Sequence, residues 1–138
     1  MILVRLVYVS TVSEKFVPSD LEDILNIANR HNNINDVSGL LCFSNKYFLQ
    51  CLEGSRSQVN KIYQKILKDE RHKDIVILHY EEVADREFEN WSMGYVPESS
   101  ITAPIILKYS STKTFNPYEM TGQGAFMLIS ALKRNIKS

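Results

Sequence analysis

Residues 2–10 read Ile-Leu-Val-Arg-Leu-Val-Tyr-Val-Ser, an extended run whose branched and apolar side chains fall on both alternating sets of positions. Successive side chains of a strand point to opposite faces, so a strand that is apolar on both faces needs cover on both. This run is therefore expected at a central place in a sheet, and it sets Tyr8 on the same face as Val4 and Leu6.

The rest of the chain supplies the covering layers. After a polar loop, Ser19 and Glu22 make a Ser-x-x-Glu capping box. The helix that follows carries Leu21, Ile24, Leu25 and Ala28 at core spacing, and the same stripe runs on to His31 and Asn32. Residues 37–43 and 47–53 read as a hairpin with its turn at Ser44-Asn45-Lys46. Alternation in the second arm groups Phe48, Gln50 and Leu52. A second helix follows, capped by Ser55 with Gln58 and burying Val59, Ile62, Tyr63 and Ile66. Residues 74–82 and 91–96 are expected strands, the last with Trp91, Met93 and Tyr95 on one face, and the acidic stretch 81–89 between them reads as a solvated loop. Residues 101–109 and 122–136 read as helices, the second capped by Thr121.

The order predicts an α+β fold, a ferredoxin-like βαββαββ mixed sheet with two helices on one face and two C-terminal helices covering the other. Its 138 residues suit one core, divided here into a body, 1–96, and a helical cap or output segment, 97–138.

Sixteen Lys and Arg balance sixteen Asp and Glu, which excludes charge-driven gripping of nucleic acid or of an anionic membrane as the main role. The balance is uneven: residues 1–100 hold 11 basic and 15 acidic residues, while residues 101–138 hold five and one. No apolar run reaches the roughly 20 residues that span a bilayer, and the start lacks the basic lead of a secretory signal, so a cytoplasmic setting is expected. Cys42 and Cys51 lie on the two hairpin arms, Cys42 facing Phe48 or Leu49, where they do not bridge. With three scattered histidines, zinc is not expected.

Function must then rest on particular neutral side chains. Tyr8, Asn32, Gln50 and His31 point into the space between the helices and the sheet. Buried hydroxyls and amides need partners, found among themselves or on a ligand. Asn and Gln each present a donor beside an acceptor, which suits the imide edge of a flat heterocycle, and Ile24 and Ile66 come from facing stripes that could clamp a planar ring. Taken singly, each has a plain structural reading: a core tyrosine, a helix C-cap asparagine, a glutamine bonding backbone.

Together, Tyr8, Asn32, Gln50 and Trp91-Ser92-Met93 resemble the BLUF domain, the blue-light sensor using flavin adenine dinucleotide. The resemblance extends over residues 1 to about 96 and takes in Ser38-Gly39-Leu40-Leu41, Phe48-Leu49-Gln50-Cys51-Leu52-Glu53-Gly54, Asp69-Glu70-Arg71-His72 and Phe88-Glu89-Asn90-Trp91-Ser92-Met93. Residues 97–138 are similar to the helical cap of short, stand-alone bacterial BLUF proteins. The resemblance implies FAD held non-covalently, its ring packed by Ile24 and Ile66, with Asn32 at the O4/N3 edge and Gln50 between Tyr8 and the N5/O4 edge. Arg30, His31, Lys65, Asp69 and His72 complete the implied cofactor contacts, and Tyr8, Gln50, Trp91 and Met93 the photoactive set.

By the same resemblance, light drives electron and proton transfer from Tyr8, and the Gln50 hydrogen bonds rearrange without net chemistry. The signal passes through the fifth strand to the C-terminal helices. With no cyclase or phosphodiesterase sequence within the chain, the expected output is a light-dependent contact with a regulator protein or a change in a homo-oligomer, a dimer or larger ring. The protein is then not an enzyme. Two other readings compete: a small hydrolase, which would need a nucleophile or an acid–base pair in the cleft, and a flavin-free interaction or ligand-sensing module, which would not need the three polar residues.

Overall fold

The computed structural model describes residues 2–44, 46–89 and 91–133. Five strands, β1 (Leu3–Val12), β2 (Ser38–Phe43), β3 (Tyr47–Ser55), β4 (His72–Glu82) and β5 (Gly94–Val96), form one sheet in the order β4-β1-β3-β2-β5. Every pairing is antiparallel except β2 with β5, so the sheet is mixed. Helices α1 (Asp20–Ile34) and α2 (Arg56–Leu67) cover one face, and α3 (Ala103–Tyr109) and α4 (Gly122–Leu132) the other. The α+β architecture expected from the element order is thus the one adopted.

The two-sided apolar pattern of the first strand is explained by its place between β4 and β3. Val4, Leu6 and Tyr8 pack with Leu41, Phe48, Leu52, Val59 and Tyr63 toward α1 and α2. Val7 and Val9 pack with Leu40, Cys42, Leu49 and Cys51 toward α3 and α4, where Leu128, Ile129 and Leu132 are buried. Cys42 stands opposite Leu49, as alternation in the hairpin requires, and both cysteines are free and buried.

Local signals succeeded unevenly. Ser55 and Thr121 cap α2 and α4 by accepting from Gln58 N and Gly124 N. Ser19 does not cap α1: it is already in the helical region, and Asp20 instead accepts from Val17 N. Asn45 of the expected turn, Asn90 and residues 134–136 of the expected last helix lie outside the described residues.

Two expectations are overturned. The last strand is only Gly94–Val96, and Trp91 and Met93 do not share a face: Trp91 packs with the core beneath α3 and α4, Met93 with the core beneath α1 and α2. Segment 91–93 is not in ladder geometry, so period-two alternation does not apply to it. Nor is the acidic stretch merely solvated. Phe88 is fully buried, and the backbone N–H groups of Glu87 and Phe88 donate at 2.8–3.0 Å to the carboxylate of Glu53.

Glu53 is itself fully buried on β3, opposite Arg5 on β1, whose Nε lies 2.8 Å from its carboxylate. The Arg5 guanidinium sits 4.2 Å over the Phe126 ring of α4, and Glu87 reaches Ser130 and Lys133 at 2.9 and 2.8 Å. One buried charge therefore ties two strands, a loop and a helix. Close packing also forces a glycine: a Cβ on Gly39 would lie 2.0 Å from the carbonyl oxygen of Cys51.

Removing one member of a buried charge pair strands the other, so Glu53→Ala should lower unfolding stability by about 3–5 kcal/mol. Urea denaturation checks this.

Candidate functional site: a cleft between two helices

The cleft's floor follows from strand register. Tyr8 and Gln50 are direct partners across β1 and β3, and Leu41 stands beside Gln50 on β2. All three turn toward α1 and α2. The Tyr8 hydroxyl donates to Gln50 Oε1, and the other end of the amide donates through Nε2 to the thioether sulfur of Met93 at 3.3 Å.

The walls follow from helical spacing. Ile24, Ile27, Ala28, His31 and Asn32 recur on one side of α1, and Ile62, Lys65 and Ile66 on the facing side of α2. Asp69, Arg71 and His72, at the passage from α2 into β4, close one end. Together these residues line one cleft, open to solvent at its mouth.

Burial dominates the electrostatics at the floor. It raises the Tyr8 phenol well above its ordinary pKa, with the negative charge of Asp69 and the neighbouring Tyr63 acting in the same direction. Tyr8 is therefore a neutral hydrogen-bond donor throughout the physiological range. Burial likewise pushes His72 down to about 4, outweighing the attraction of Asp69. Its ring lies 4.5 Å from that of Phe48, with Nδ1 2.8 Å from Ser10 Oγ. At the mouth, burial opposes ionisation of Asp69, but hydrogen bonds from Arg71 prevail and hold the carboxyl below its usual range. Arg71 spans Asp69 at 2.8 Å and Asp23 at 3.2 Å.

The amide of Asn32 is oriented by chemistry. Its Nδ2 lies 2.8 Å from the carbonyl oxygen of Ser92, which can only accept, so the nitrogen must face that way. Its Oδ1 has no hydrogen bond among the described residues and is the group Asn32 can offer a ligand. Asn32 is not the C-cap; that position belongs to Asn35.

Of the residues anticipated from sequence, Tyr8, Ile24, His31, Asn32, Gln50, Lys65, Ile66, Asp69 and His72 line this one cleft. Met93 joins it through Gln50. Arg30 is exposed and does not line it, and Trp91 lies outside it. Arg71, Leu41, Ile27 and Ile62 were not singled out as ligand contacts. Arg71 belongs to the Asp69-Glu70-Arg71-His72 motif, where its pairing with Asp69 is local, and only the fold adds Asp20 and Asp23 of α1. No group of three or more His, Cys, Asp or Glu among the described residues could hold a metal.

The cleft suits a flat, uncharged heterocycle with a polar edge and an anionic tail. Isoleucines on facing helices offer apolar contact to its two sides, Asn32 Oδ1 matches an imide N–H, and the Lys65 ammonium lies along the same cleft, beside Arg71 paired with Asp69 and Asp23 and a neutral His72 ring. An oxidised flavin has that shape and that edge.

Residues 3–94 match the BLUF family, sensors of blue-light using FAD. The blue light- and temperature-regulated antirepressor BluF of Escherichia coli is 38% identical over 86 residues, 62% of this chain and 21% of that protein. A photoactivated adenylate cyclase subunit beta of Euglena longa is 26% identical over 125 residues, 83% of this chain and 14% of that protein. The chain thus spans about a fifth or less of the length of these relatives. Among solved structures, the BlsA ground state superposes with a TM-score of 0.87 at 34% identity, covering 99% of this chain and 91% of that one. The dark state of BlrB, a BLUF protein, gives 0.77 at 26% identity, covering 94% and 96%.

Because the folded His72 binds a proton near pH 4 and an unfolded histidine near 6.5, the unfolded state holds more protons between those values. Stability should therefore fall as pH drops through that window, by about 1.4 kcal/mol per unit. Replacing His72 by Asn should flatten this stretch of the stability–pH curve, measured by urea unfolding.

Proposed function

The chain belongs to the BLUF family, sensors of blue light using FAD, and on that premise we propose that it is a blue-light photoreceptor rather than an enzyme, with FAD held non-covalently in the cleft between α1 and α2. The observation that carries this reading is the Tyr8–Gln50–Met93 chain of contacts on the cleft floor. Bound there, FAD would supply blue-light absorption and an excited ring able to accept an electron.

The chain's own residues do the rest. Tyr8 is buried and neutral, so it has both an electron and a proton to give, and it regains both when the cycle closes. Gln50 is the element with two arrangements. In the one described, Oε1 accepts from Tyr8 and Nε2 donates to Met93. A phenol oxygen can also accept, so a turned amide keeps a bond to Tyr8 through Nε2. That turn sets Oε1 against a thioether, which also only accepts, and the contact with Met93 is lost. In a buried site water does not replace the lost bond, so the two arrangements are energetically distinct.

Ile24 and Ile66 clamp the ring, Asn32 accepts from its N3–H, and His31, Lys65, Asp69, Arg71 and His72 bind the remainder. Arg30 meets the part of the cofactor extending beyond the cleft. Met93, with Trp91 two residues away, carries the change into β5, and α3 and α4 present it to partners. The protein acts in the cytoplasm as a homo-oligomer, through a light-dependent contact with a regulator protein. Neither nucleic acid nor a membrane is part of the proposed output, and no helix of the described residues is long and apolar enough to cross a bilayer. BluF of Escherichia coli is named an antirepressor, which supports a regulator as the partner.

A purified sample should be yellow and shift its flavin absorption to the red under blue light, recovering in darkness. Tyr8→Phe and Gln50→Leu should retain flavin and lose the shift. A colourless protein that takes up no flavin, or a normal shift in Gln50→Leu, overturns the reading.

A further inference from the structure

Segment 91–93 joins the two faces of the sheet, with Trp91 on one core, Met93 on the other and Ser92 between them. Ser92 is held from both ends of its polar surface. Its carbonyl accepts from Asn32 Nδ2 at 2.8 Å, and its hydroxyl donates to Asn29 Oδ1, also at 2.8 Å. Asn29 and Asn32 are three residues apart on α1 and so lie on the same side of the helix. The Asn29 amide is itself oriented, because its Nδ2 donates to the carbonyl of Leu25 at 2.9 Å and leaves Oδ1 to receive Ser92. By contrast β5 is only three residues long, and the hydrogen bond from Gly39 N to Trp91 O is a backbone contact that does not depend on which side chains follow.

We propose that Asn29 and Ser92 form a latch that holds segment 91–93 on α1 in the dark and keeps the Met93 sulfur against Gln50, and that release of this latch is the step by which light reaches β5. Ser92 and Asn29 are positioning residues: neither lines the cofactor cleft, and each acts through Met93 and Asn32. The inference rests on the photoreceptor reading and adds a place where its signal is gated.

Asn32 makes the gating two-sided. One end of its amide faces the cleft, and the other holds the Ser92 carbonyl. Turning Gln50 withdraws the only side-chain hydrogen bond that ties Met93 to the cleft floor among the described residues. The side-chain hydrogen bonds still holding the segment among the described residues are then the two between Ser92 and α1, beside the backbone bond from Gly39 N to Trp91 O. The hydroxyl bond can be deleted from either end without altering the cleft, whereas the carbonyl bond can be removed only at Asn32, which lines it.

The chain contains a single tryptophan, Trp91, inside the segment in question. Acrylamide quenching of its fluorescence, read in darkness and under blue light on the flavin-loaded protein, therefore reports the segment directly. Ser92→Ala and Asn29→Ala should each raise dark quenching toward the illuminated wild-type value, the ratio of held to released segment falling on the order of fivefold, the worth of one hydrogen bond. The light-induced increment should shrink to match. The double variant should go no further than either single one, because both delete the same bond. Ser92→Thr, which keeps a hydroxyl, and Asn26→Ala, an exposed neighbour on α1, should behave as wild type. The red shift should persist in all, since Tyr8 and Gln50 are untouched.

Unchanged dark quenching in Ser92→Ala, or additive effects in the double variant, overturns the latch. A loss of stability with the full light-induced increment retained would reduce Ser92 to a structural role and overturns it equally. Absence of any red shift in the wild type is a separate result that counts against the photoreceptor reading, while the dark measurements still decide whether the latch exists.

Discussion

The pairing of β1 with β3 is the constraint on which the rest of the molecule depends. Both strands are buried on both faces, so a slip of one residue would move every side chain of one strand to the wrong core. The correct register sets Tyr8 opposite Gln50 and, three residues along each strand, Arg5 opposite Glu53. The first pair faces α1 and α2 and floors the cleft. The second faces α4 and closes a buried ion pair.

These two polar pairs differ in kind. Arg5 and Glu53 are charged and saturated: the carboxylate takes the guanidinium and two backbone N–H groups, and the guanidinium also reaches Glu81. An arrangement so fully bonded has one geometry, and it anchors the loop before segment 91–93. Tyr8 and Gln50 are neutral and ambivalent, because a phenol can donate or accept and an amide can turn end for end. The same sheet therefore presents a rigid polar contact on one face and an adjustable one on the other. Segment 91–93 lies where both have influence, following Phe88 on the anchored side and contacting Gln50 through Met93.

Much of this was legible from residue order alone. The two-faced apolar run of β1, the helical stripes of α1 and α2, and the alternation in β3 that turns Gln50 inward are short-range patterns, and they gave the layers and most of the cleft. What was not legible depends on contacts distant in sequence. Ser19 matches the pattern of a capping residue, yet its backbone is already helical and its side chain makes no cap bond, while Asp20 reaches back to the Val17 N–H of the preceding loop. Loop 83–89 is acidic enough to belong in water, but a carboxylate 34 residues earlier draws two of its N–H groups inward. Arg71 is held locally by Asp69, two residues before it, but its link to Asp23 on α1, 48 residues away, comes only from the fold.

By itself the sequence determined which residues could share a face: Tyr8 with Leu6, Gln50 with Phe48 and Leu52, Ile24 with Ala28, His31 and Asn32. It did so because backbone geometry fixes the period at two in a strand and near 3.6 in a helix. Only the tertiary structure decided how those faces meet. It put Met93 rather than Trp91 against Gln50, turned the Asn32 nitrogen toward Ser92, and left its oxygen free among the described residues. Those choices rest on hydrogen-bond complementarity between groups up to 63 residues apart, where no local periodicity applies.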